Sequence, residues 1–157
     1  MSSPFRIFSL LAHVRRPSRI GTMSVVTDGF WLRRGYQAMT FFGTVVAATE
    51  GDARQLRKEG SSLLRHEMIH LRQAQSLHDS WLLFYVRYLW YSLLALPQCR
   101  RMKGAAYLLN PFEMEAYRHE GDAAYLERCS REGGATEWRR WAALSPMERL
   151  RWLESQT

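Results

Sequence analysis

The chain has 157 residues, 46 % of them hydrophobic, with six Trp, seven Tyr and seven Phe. That composition supports one domain with a core and excludes collagenous, low-complexity and wholly disordered classes. The net charge is +7, and two cysteines, Cys99 and Cys129, are too few for a disulfide framework; they fit reduced thiols in a cytoplasmic protein.

Residues 1–21 form a basic arm. Before Glu50 the only acid is Asp28, against Arg6, Arg15, Arg16, Arg19, Arg33 and Arg34. Such an end can meet nucleic acid or anionic lipid, or simply be solvated. The apolar run at 4–14 lacks the small-residue cleavage site of a signal peptide. Strands follow over 22–48. Val25-Val26 leads to the hairpin signal Asp28-Gly29, Phe30-Trp31-Leu32 resumes, Gly35 marks another turn, and Ala38 to Thr49 is strand-like with Gly43 as a bulge. These segments predict a small antiparallel sheet of about three strands.

From Glu50 the composition changes to helix formers. A short helix or turn is expected over 52–58. A helix capped by Ser61 or Ser62 then runs to about Leu77. Residues 81–96, capped by Asp79 or Ser80 and ended by Pro97, carry aromatics on every side. That pattern predicts a core helix buried all round, with a membrane-contacting helix as the alternative. It is too short to span a bilayer comfortably and contains Arg87. Gln98 to Gly104 is a basic loop. Asn110-Pro111 opens a helix to about Cys129, with Asn as cap and Pro in the first turn. Gly133-Gly134 breaks the chain, and Ser145-Pro146-Met147-Glu148 is a capping box for a last short helix. Strands followed by helices give an α+β fold class.

The chemistry lies in His66-Glu67-Met68-Ile69-His70, an H-E-x-x-H pentapeptide. On a helix, positions four apart point the same way one turn apart. His66 and His70 can therefore share one tetrahedral zinc, while Glu67, on their flank, can take a proton from a zinc-bound water. A catalytic zinc needs a third protein ligand and an open position. The extended histidine pattern is excluded, because Gln73 and Ser76 stand where it needs Gly and His. Glu113, Glu115 and Glu120 are the acidic candidates. Glu113 is also the N3 position of a cap on Asn110. Gln73 shares the face of His70 and could bond a ligand or substrate. Tyr107, Tyr117 and His119 could stabilise the oxyanion of a tetrahedral intermediate, with Tyr117 best placed.

HExxH followed by a distant Glu-x-x-Ala resembles the gluzincin branch of the zincin metallopeptidases. The strings LLRHEMIHLRQ and NPFEMEAY resemble small bacterial minimal gluzincins over residues from about 40 to 120. The resemblance implies Glu113 as third ligand, with Ala116 three positions on. Tyr117 stands where the family has Asp or Asn, which leaves the partner of His66 or His70 unassigned. A zincin-like domain is expected at 22–132, its sheet packed on helices that include the HExxH active-site helix; 133–157, outside the resemblance, is expected as a helical extension of the same domain.

The expected function is a zinc-dependent hydrolase, a metallopeptidase acting on a peptide or protein substrate and cytoplasmic, with a weak anionic membrane contact. Two other classes compete: a non-catalytic zinc-binding interaction module, and a basic nucleic-acid or membrane-binding protein with an accidental HExxH.

Overall fold

A computed structural model describes residues 25–27 and 37–156. The arm at 1–21, the Asp28-Gly29 and Gly35 turns and the strand at Phe30-Trp31-Leu32 lie outside the described residues. Two compact units divide the chain between Arg54 and Gln55.

The first unit holds a three-stranded sheet in the order β1-β3-β2, from β1 (Val25–Thr27), β2 (Ala38–Phe41) and β3 (Thr44–Ala47). β2 and β3 are an antiparallel hairpin in which Phe41 faces Thr44. Phe42 and Gly43 form its turn with φ of 46° and 80°. Two consecutive positive φ angles mark the primed turn that matches strand twist. Gly43 is thus a turn residue and not the expected bulge. β1 departs from the antiparallel expectation: it pairs in parallel with β3, Val26 beside Val46. The tight turn commits one edge of β3 to β2, and β1 takes the other edge. The predicted strand to Thr49 stops at Ala47. Thr49 instead caps the next helix, accepting a hydrogen bond from the Asp52 amide at 3.1 Å. That helix, α1, spans Glu50–Arg57.

The second unit is helical. α2 (Ser62–Gln75) starts where Ser61 accepts from the Leu64 amide at 3.2 Å. α3 (Trp81–Ala95) is capped by Ser80. Among the described residues, only one side of α3 is covered: Trp81, Phe84 and Ala95 are buried, whereas Leu82, Val86, Leu89, Trp90, Leu93 and Leu94 are exposed. The expectation of burial all round fails because an all-apolar helix carries no periodic signal for its solvent side. Among the described residues, no helix is long and apolar enough to cross a membrane.

After α3 a 3-10 segment, Leu96–Arg100, holds Pro97, and α4 (Ala105–Leu108) follows Gly104. α5 (Pro111–His119) begins with Asn110, whose side chain accepts from the Phe112 amide. The single helix expected from here to Cys129 is two. Asp122 caps α6 (Ala123–Glu132), accepting from the Ala124 amide at 3.0 Å. Gly121 weakens the helix at the break, and Asp122 favours a cap over a helix interior. α7 (Trp138–Ala142), within the stretch at 133–157 expected to be helical, precedes α8 (Pro146–Glu154), which has the expected capping box of Ser145 and Glu148.

One core cluster joins Ile69 of α2, Ala116 of α5, and Tyr125 and Cys129 of α6 with Ala135. A second joins Ala95, Ala105, Leu109 and Leu150. Aromatic contacts link α3, α5 and α7: Phe84 to Phe112 at 4.8 Å and Phe112 to Trp138 at 4.7 Å between centroids. Both cysteines are free thiols, Cys99 exposed and Cys129 buried.

Candidate metal centre

α2 and α5 bring the site together. His66, Glu67 and His70 lie on α2 and are buried, as is Glu113 in the first turn of α5. The cap explains how Glu113 is aimed. Asn110 starts α5 and also donates from Nδ2 to the Tyr88 carbonyl and the Ser92 hydroxyl oxygen, each at 2.9 Å. That fixes the start of α5 against α3, three residues before Glu113. Tyr88 in turn donates its hydroxyl to Glu113 Oε1 at 2.6 Å.

His66 Nε2 is 3.1 Å from Glu113 Oε2, and His70 Nε2 is 3.5 Å from Glu113 Oε1. One potential ligand atom from each of the three residues lies within 4.8 Å of the others. The outer ring nitrogens are also engaged. His66 Nδ1 is 3.0 Å from Glu120 Oε2, and His70 Nδ1 is 2.8 Å from Gln73 Oε1. A hydrogen bond donated from Nδ1 leaves Nε2 as the ligand nitrogen of a neutral imidazole.

The charges reflect this geometry. Burial alone would lower the His66 pKa, but hydrogen bonds to Glu113 and Glu120 push it up to about 10. Burial acts in the same way on His70, and the Glu113 charge outweighs it and raises the value. Burial would raise Glu113; instead the His70 charge and the hydrogen bond to His66 hold its carboxyl well below the usual range. The Glu67 charge favours the protonated form of both imidazoles. The protonated imidazoles and the Glu113 carboxylate thus favour each other's charged forms.

The other candidates go elsewhere. Glu115 faces away from the pair: it accepts from Gln73 Nε2, the Tyr125 hydroxyl and the Glu137 amide, each at 2.6 Å. Burial raises its carboxyl pKa against the pull of those donors. Glu120, a third-ligand candidate, reaches the outer nitrogen of His66. His119 bonds Glu137 at 2.6 Å and stacks on Tyr125 at 3.7 Å. Tyr117 is half exposed. Its ring meets His66 edge-on at 4.6 Å, and its hydroxyl donates to that of Tyr107 at 3.2 Å. Burial and the Glu113 charge raise the Tyr107 pKa far above the ordinary phenol value.

Sequence reasoning missed the roles of Glu120 and Tyr88. Glu120 lies seven residues after Glu113, which returns to the same helical face, and this was a usable signal. Tyr88 sits in the apolar helix, where nothing separated it from its neighbours.

The chain matches no protein-family model, and no curated protein or solved structure shows significant similarity to it.

Proposed function

We propose that this protein is a zinc-dependent hydrolase, a metallopeptidase of the gluzincin kind, with His66, His70 and Glu113 holding the metal. The carrying observation is the convergence of these three buried side chains. Two imidazoles and one carboxylate suit zinc in donor chemistry, and each imidazole has an outer partner of the type metal-binding histidines use. Three protein ligands also match a catalytic zinc, whereas a structural zinc takes four; among the described residues this group has three members.

Bound there, zinc would supply a Lewis acid and lower the pKa of a water toward neutrality. Glu67, in the next position after His66 and close enough for its charge to act on both imidazoles, is the general base. It takes the proton of the attacking water and delivers it to the leaving amine. Tyr117, packed on His66, is the candidate donor to the carbonyl oxygen that gains negative charge. Glu120 and Gln73 hold the two rings in orientation.

A Glu67→Gln variant tests the reading. It keeps zinc and the fold but loses cleavage of a broad peptide library by about two orders of magnitude or more. Undiminished turnover would sink the mechanism. Zinc retention with no cleavage by either protein would favour the non-catalytic module.

A further inference from the structure

The two sides of α3 differ. The inner side serves the candidate centre: Tyr88 bonds Glu113, and Phe84 packs against His70 with centroids 6.0 Å apart. The outer side carries Leu82, Leu89 and Trp90, which are 72 %, 60 % and 58 % exposed, together with exposed Val86, Leu93, Leu94 and Leu96. Leu82, Val86, Leu89, Leu93 and Leu96 alternate steps of four and three residues, so they form one stripe, with Trp90 and Leu94 on its flank. Scattered exposed leucines are ordinary, but a contiguous stripe of this length marks a binding surface.

We propose that this face of α3 docks on an anionic lipid surface. Charge decides the occupant. From Ser80 to Phe112 the chain has no Asp or Glu. The exposed stripe runs directly into Arg100, Arg101 and Lys103, all exposed. An apolar stripe ending in a basic cluster fits acyl chains at the headgroup boundary with anionic headgroups beside them. Fifteen helical residues span about 22 Å, less than the ~30 Å hydrocarbon core. The helix therefore lies in the interface and does not cross it. A second copy of the chain is a poorer occupant. The stripe has the spacing of a coiled-coil seam, but its flanks carry Leu83, Tyr85, Trp90 and Ser92 where such seams place paired charges. Its Arg and Lys would meet no carboxylate from the same face of a partner copy.

This surface stands whether or not the metal site is catalytic, and it is tested by vesicle flotation without any activity assay. The full chain is mixed with vesicles of phosphatidylcholine, with and without phosphatidylglycerol. It floats with the anionic vesicles and poorly with the neutral ones. Two variants on exposed positions, Leu89→Glu/Trp90→Glu and Arg100→Ser/Arg101→Ser/Lys103→Ser, each weaken binding at least about tenfold with melting temperature preserved. Absence of flotation would overturn the proposal. So would flotation unchanged in both variants, which would assign it to the basic arm. A stable wild-type dimer that Leu89→Glu/Trp90→Glu dissociates would give the face to a second copy instead.

Discussion

Gln73 Oε1 lies 2.8 Å from Nδ1 of His70, while Gln73 Nε2 donates to the Phe112 carbonyl at 2.8 Å and to Glu115 at 2.6 Å. One fully buried amide thus ties a histidine on α2 to two partners on α5. Its orientation is fixed, because the amide nitrogen can only donate and the Phe112 carbonyl can only accept. The carbonyl therefore faces His70 and holds the proton on Nδ1, leaving Nε2 directed at Glu113.

A Gln73→Leu variant keeps the volume and loses all three bonds. Zinc affinity should fall by about 10- to 100-fold, and stability by about 1–3 kcal/mol, because Glu115 loses a buried donor. Competition with a chromogenic chelator measures the first and denaturant unfolding the second. An unchanged affinity would remove Gln73 from the site.

The chelator-treated protein should show a pH signature. The folded pKa of His66 is about 10, above its ordinary 6.5. A raised value contributes stability that is complete below 6.5 and is lost as pH rises through about 10. Calorimetric melting of metal-free protein should show a temperature that falls between pH 7 and 10, and a His66→Gln variant should flatten that slope. A wild-type slope no steeper than that of the variant would contradict the His66–Glu113–Glu120 arrangement.

Gly134 should tolerate no side chain. A Cβ there would lie 2.7 Å from both the Arg72 carbonyl oxygen and the Ser76 amide nitrogen, at the end of α2. Its φ of 134° and the Ala135 amide bonded to the Arg72 carbonyl at 2.9 Å leave no room to shift. Gly134→Ala should cost about 1–3 kcal/mol or more. At Gly133 an added Cβ meets nothing within 4 Å, and the cost should be about 1 kcal/mol from positive φ alone. Paired thermal melts check the order, and equal losses would refute the contact.

Much of this was legible in the sequence where local chemistry dictates structure. Ser61, Asn110 and Ser145 cap helices because their side chains reach the first free amides, and each is visible beside its helix. The HEMIH pair faces one way because helical periodicity demands it. The remainder depended on competition between alternatives. Gly121-Asp122 could sit inside a helix or cap one, and apolar periodicity ran through both options. β1 could pair with either edge, because strand sequence does not encode direction. The outer side of α3 was hidden because leucine reads the same in a sequence whether it is buried or exposed. Glu120 was visible as an acid near the site, but only the packing of α5 against α2 sends it to Nδ1 of His66 and Glu113 to Nε2.

The most direct measurement is zinc per chain, by elemental analysis of purified wild type beside Glu113→Ala. The Glu113 carboxylate is the group on which both histidines converge, at 3.1 and 3.5 Å. The account predicts about one zinc per wild-type chain and a loss of most of it in the folded variant. Equal zinc in the two proteins, or none in wild type supplied with zinc, would contradict it.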